Sequence, residues 1–138
     1  MPYQKILLAI AGREDEKHVV EETMRLKSFS GASLAIVVVN DPGAGKPHMM
    51  MDSLPRVTGA DVVAELTRMG YGDEARAADI ILVDDEHYAQ AIARISADYD
   101  LLVMGHHAKG RLRAFLTDTV DEHVADRVNC PILLVPIR

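Results

Sequence analysis

Residues 105 to 113 place Gly105, His106, His107, Lys109, Gly110, Arg111 and Arg113 in one short stretch. Glycines that expose backbone N–H groups, with cations around them, are what a phosphate requires. A solvated basic face is the plainer reading of Lys109, Arg111 and Arg113. The histidine pair invites a metal, but adjacent side chains of an extended loop diverge, and zinc takes three or four ligands, which only His123 or Asp118 could complete. No metal is expected there. His48-Met49-Met50-Met51 offers thioethers suited to Cu(I), against the plainer reading of loop or partner-facing methionines. Asp84-Asp85 follows an apolar run as in a phosphoacceptor pocket, yet that chemistry also needs carboxylates after the first strand, where Ala11-Gly12 stands. Helix capping is the expected role of the two aspartates. Gly105 to Gly110 has Walker glycine spacing without the Lys-Ser that would follow, and neither a G-x-S-x-G elbow nor an H-E-x-x-H pair occurs. The chain is not expected to be an enzyme.

These residues need a scaffold, and the stretch from Asp100 to Pro136 supplies its plan. Leu101 to Met104 is a continuous apolar run that stops on Gly105, the pattern of a strand buried on both faces. Leu116, Val120, Val124 and Val128 recur every four residues and predict an amphipathic helix, with Thr119 as N-cap and Glu122 closing a capping box. Cys130-Pro131 ends that helix, and Ile132 to Ile137 forms the next strand, so the unit closes as βαβ.

The same logic runs through the rest. Lys5 to Ile10 is a strand; acidic residues 14–16 crowd the first turn of a helix whose buried side is Val19, Val20, Thr23, Met24 and Leu26, and Gly31 stops it. Ala32 to Val39 is the second strand. Asn40 to Gly59, with three prolines and three glycines, reads as a long loop of functional use or mobility. Asp61 to Met69 predicts a short helix, Gly70-Tyr71-Gly72 its end, and Ala78 to Val83 the third strand. Tyr88, Ala91, Ile92 and Ile95 then follow helical spacing. Five buried strands alternating with four helices make a doubly wound parallel α/β sheet with helices on both faces, a single domain over 1–138.

The apolar opening at residues 5–12, the run ending at Gly105, the glycine-bearing loop and the closing Cys130 to Ile137 together resemble the universal stress protein family over essentially the whole chain. The resemblance implies a five-stranded parallel sheet of order 3-2-1-4-5. Ligands of such sheets bind outside the carboxyl ends where the order reverses, here between Ala11-Gly12 and Gly105-His106. Nucleotide-binding members carry Gly, two residues, Gly, nine residues, then Gly-Ser or Gly-Thr; on this chain those places are Gly105, Ala108 and Asp118-Thr119. Such members also end strand one with an aspartate that meets ribose or adenine, where this chain has Ala11. The Gly105-His106-His107 sequence and the absent glycines are more similar to the universal stress protein A branch, whose members are not expected to bind ATP. The residues that would line the crevice are Ala11, Gly12, Val39, Gly105, His106, Ala108, Lys109, Gly110, Asp118, Thr119 and Val120.

Asp118 would set a fixed negative charge at the start of the last helix. Two unit charges about 4 Å apart repel by about 4 kcal/mol at an effective dielectric near 20, a loss of nearly three orders of magnitude in affinity. No cofactor is therefore expected. The alternative is an ATP- or AMP-binding member that uses Lys109, Arg111 and Thr119 on the phosphates. A third reading is an interaction module that docks an unknown protein partner through residues 40–59.

At 138 residues and 49% apolar content, one domain can bury roughly 68–70% of its unfolded surface. The net charge of −6 offers no attraction to nucleic acid or anionic membranes, so neither partner is expected. The single cysteine, Cys130, excludes an intrachain disulfide and reads as a small buried hydrophobe. The apolar segment after Lys5 is too short for a signal peptide or membrane span, so a cytoplasmic protein is expected. Ile132 to Ile137 would be a pairing hazard as a bare edge, and the resemblance implies a homodimer through that strand.

Overall fold

The computed structural model describes residues 3–12, 14–43, 55–107, 124 and 126–137. Within them the elements run β1 (Lys5–Ala9), α1 (Lys17–Ser30), β2 (Ser33–Asn40), α2 (Gly59–Arg68), α3 (Gly72–Ala77), β3 (Asp79–Asp84), α4 (Tyr88–Ser96), β4 (Leu101–His107) and β5 (Ile132–Ile137). The five strands form one parallel sheet in the order β3-β2-β1-β4-β5, as the resemblance implies.

The continuous apolar runs follow from position in that sheet. β1 lies at its centre, and Ile6, Leu7 and Leu8 are all fully buried because both faces are covered. One face carries Ile6, Leu8, Ile36 and Val103 against Val19, Val20 and Met24 of α1, Val62 and Leu66 of α2, and Ala75 of α3. The other carries Leu7, Ala35, Val37, Leu102 and Met104 against Ile92 of α4 and Val124. Helices on both faces are what two left-going and two right-going crossovers of one hand produce. The edge strands are less covered, leaving Leu82 in β3 42% exposed and Leu134 in β5 40% exposed.

Local chemistry sets the helix ends. α1 stops at Gly31, whose φ of 75° lets its N–H reach the Lys27 carbonyl at 2.8 Å. α2 opens on a capping box: Thr58 Oγ1 accepts from the Asp61 N–H at 3.1 Å, and Asp61 Oδ2 accepts from the Thr58 N–H at 2.9 Å. In α4, Ala91 and Ile92 are buried while Tyr88 and Ile95 pack at the margin, the face their spacing predicts.

Several expectations need correction. The acidic residues at positions 14–16 do not open α1; they form a 3-10 turn ahead of it, from which the Glu16 side chain turns back onto the Ala11 and Gly12 amides after β1. Gly70-Tyr71-Gly72 does not lead straight to β3, since residues 72–77 add the short helix α3, whose Ala75 fills a place in the core. β4 does not stop at Gly105: pairing with Val135, Pro136 and Ile137 of β5 carries it to His107. Cys130 is only half-buried at the margin of the second cluster, though burial still pushes its thiol above the usual range.

The last helix is seen where Val124, Asp126 and Arg127 are helical and the Val128 N–H reaches the Val124 carbonyl at 3.1 Å. The predicted capping box at Thr119 and Glu122, together with Asp118 and His123, lies outside the described residues, as does the His48 to Met51 cluster. No described helix is long and apolar enough to cross a membrane.

Candidate functional site

The sheet order reverses between β1 and β4, so the crevice opens at their carboxyl ends. Ala9 pairs with Val37 on one side and Met104 on the other. Two residues further along, the same row holds Ala11, Val39 and His106, so three of the predicted site residues share one rim. Gly12 and Gly105 flank them. Ala11 is exposed, and Gly12, Val39, Gly105 and His106 are each half-buried. Of these five, only His106 has a titratable side chain. The remaining predicted residues, Ala108, Lys109, Gly110, Asp118, Thr119 and Val120, lie outside the described residues.

Sequence reasoning missed the groups that shape this rim. Glu16 reaches back so that Oε2 accepts from the Ala11 N–H at 2.7 Å and Oε1 from the Gly12 N–H at 3.0 Å. Its side chain is interior, with the residue only 7% exposed. A buried carboxylate costs several kcal/mol unless it is hydrogen-bonded, and two consecutive amides are among the partners it finds here. A glutamate seven residues beyond the end of β1 was the available signal.

Asn40 is the second missed group. At the end of β2 its buried amide donates Nδ2–H to the Val57 carbonyl at 2.9 Å, while Oδ1 accepts from the Val57 N–H at 3.0 Å. One side chain thereby satisfies both backbone groups of a residue outside the sheet. The latch seats Val57 on Gly12: a Cβ at Gly12 would lie 2.8 Å from Val57 Cγ1 and 3.2 Å from Cγ2. Gly12 also has φ +81°, a conformation only glycine adopts freely. Both requirements exclude a side chain at this corner.

Gly105 is a glycine for a packing reason. A Cβ there would fall 2.4 Å from Ile137 Cδ1 and 3.1 Å from Val19 Cγ2, so β5 and α1 close over the backbone. Its φ is not positive, and pairing with Val135 keeps it inside β4.

Asp84 and Asp85 are not the α4 cap. Asp84 ends β3 and accepts from Arg56 Nη2 at 2.5 and 2.7 Å through its two oxygens, a hydrogen bond that raises the Arg56 pKa. Asp85 Oδ1 takes the His87 N–H at 2.8 Å, and His87 at the N-cap makes no side-chain capping bond. Asp85 stabilises the turn before the helix, and Asp84 ties the end of β3 to Arg56. A cleft of about 560 Å³ opens between Gly12, Val57 and α2. Its charges are Arg56, Asp61, Glu65 and Arg68; Arg68 pairs with Glu65 and Arg56 with Asp84. Among the described residues none of its walls comes from β4, and Gly12 and Val57 join it to the β1 side of the switch-point rim. Among the described residues no cluster of three or more His, Cys, Asp or Glu is placed to hold a metal.

Comparison with solved structures supports the fold. A universal stress protein in complex with cAMP superposes with a TM-score of 0.66 at 20% identity over 98% of both chains. One from Archaeoglobus fulgidus in complex with dAMP gives 0.58 at 17% identity, over 98% of this chain and 99% of that one. A family member from Burkholderia pseudomallei gives 0.57 at 23% identity, over 97% and 96%. No curated protein sequence matches the chain significantly. The family model of the universal stress proteins aligns with residues 2–136. With that match over almost the whole chain and the five-stranded parallel sheet in this order, the chain belongs to the universal stress protein family.

Proposed function

We propose that this chain is a cytoplasmic, non-catalytic stress-response or regulatory dimer of the universal stress protein A type, whose crevice does not hold ATP tightly. The observation that carries the reading is the closure of the β1 end by the chain itself. Val57, held from both sides by Asn40, sits on Gly12, and Ala11 offers a ligand no polar side chain. Asp118, expected from its place in the sequence to precede the last helix, would add the charge repulsion described above.

Titration calorimetry with ATP, with and without magnesium, tests this. The expected dissociation constant is weaker than about 100 µM, a binding free energy no better than about −5.5 kcal/mol. Low-micromolar binding that persists without change in Asp118→Gly sinks both the reading and the role given to Asp118. The second reading is an ATP- or AMP-binding member using Lys109, Arg111 and Thr119, and it is favoured by the cAMP and dAMP carried by two structural neighbours. Low-micromolar AMP binding by the wild type would establish it instead.

The dimer is proposed to form through β5. This strand is an edge of the sheet, carries the exposed Leu134, and contains Pro136, a residue sheets tolerate at edges. Leu134→Asp places a charge in that contact. It is expected to convert a sedimenting dimer to a monomer with an unchanged far-ultraviolet spectrum; a dimer that survives the change would locate the interface elsewhere.

A further inference from the structure

The turn after β1 brings two consecutive backbone N–H groups, those of Ala11 and Gly12, onto one carboxylate at 2.7 and 3.0 Å. Successive amides converging in a turn form a seat for an oxyanion. Here the seat lies at the switch-point end of the sheet, where ligands of doubly wound domains bind. We infer that it is an anion site filled by the chain's own Glu16, so that a small oxyanion, a carboxylate or phosphate group, gains the Ala11 and Gly12 amides only by displacing that side chain. This deepens the reading of a crevice that holds nucleotide weakly and rests on it: the phosphate of a visiting ligand competes with an internal anion for the same donors.

The amino end of the same strand provides a contrast. There Asp100 accepts from the Gln4 and Lys5 N–H groups at 2.9 and 3.1 Å, but these bonds are exposed. Water can replace Asp100 on every side, whereas the two bonds to Glu16 are part-buried and the residue itself is 7% exposed, so its loss would leave two donors only partly open to water. Donors shielded in this way without an acceptor are rare because they forfeit part of their hydration. An oxyanion should therefore bind where Glu16 is removed and should not where Asp100 is removed. Intramolecular competition also explains why the intact site would bind weakly, since apparent affinity falls with the fraction of molecules whose seat is open.

The test is chemical rescue in Glu16→Ala, with Glu16→Gln as the near-isosteric second variant and Asp100→Ala as control. Sodium formate or inorganic phosphate is titrated against sodium chloride of equal ionic strength, while the Ala11 and Gly12 amide resonances and the thermal midpoint are followed. The expected result is saturable movement of those two resonances and a rise in midpoint with formate or phosphate in Glu16→Ala. Phosphate affinity should be at least tenfold above wild type, and neither wild type nor Asp100→Ala should respond. Glu16→Gln, which keeps one acceptor but turns a donor toward the other amide, should give the same response more weakly, and it alone decides the matter if Glu16→Ala does not fold. Responses no larger than with chloride, or equal in wild type and variant, overturn the inference. Tight ATP binding by the wild type would defeat the proposed function separately, because rescue in Glu16→Ala is read without nucleotide.

Discussion

Asn40→Ala is expected to lower the unfolding free energy by about 2–4 kcal/mol, because it orphans two buried backbone groups whose individual loss costs about 1–3 kcal/mol. Both groups belong to Val57, whose N–H and carbonyl are bound by the Asn40 amide at 3.0 and 2.9 Å. The side chain is placed for this by β2, and the residue is 5% exposed, so water does not already share the bonds. Urea unfolding followed by circular dichroism measures the change. Asn40→Asp provides the discriminating companion: a carboxylate still accepts from the Val57 N–H but cannot donate to its carbonyl, so it should also be destabilised. A loss below about 0.5 kcal/mol in Asn40→Ala, the range of ordinary surface substitutions, would show that the latch does not hold the residues before α2 in place.

The corner beneath that latch should be equally intolerant. Gly12→Ala is expected to cost about 2–4 kcal/mol, combining about 1–2 kcal/mol for a left-handed backbone in a residue with a Cβ and about 1–3 kcal/mol for overpacking. The first contribution follows from φ +81°, the second from the 2.8 Å approach to Val57 Cγ1. The two separate in a double-mutant cycle. Val57→Ala removes the opposing methyl groups, so the pair should be about 1–3 kcal/mol more stable than the sum of the single changes, while the backbone contribution persists. Strict additivity would mean that Val57 does not press on this corner.

Much of the architecture was legible from residue patterns. Runs such as Ile6 to Leu8 and Leu101 to Met104 are apolar at every position, which only strands covered on both faces require. The stops at Gly31 and the helical spacing through Ile92 were equally direct, because each depends on neighbours close in sequence. Gly72 to Ala77 was less legible: a glycine followed by two acids reads as a turn, and the helix there depends on docking Ala75 into the core. The strand order came from the resemblance, and the resolved sheet agrees with it.

The candidate site divides in the same way. Its location was legible, since Ala11, Val39 and His106 come from strand ends that the topology must bring to one rim. Its fittings were not. By spacing alone Glu16 reads as a helix-opening charge, Asp84 as part of a helix cap, and Gly105 as the first residue beyond the fourth strand. In each case the partner that decides the role lies on another element or back across a turn: the Ala11 and Gly12 amides, Arg56, and Ile137 with Val19. By itself the sequence determined which residues leave water and at what period, because burial leaves a repeating trace along the chain. Only the tertiary structure decided which donor meets which acceptor, because that depends on distances between segments set when the sheet and its helices close together.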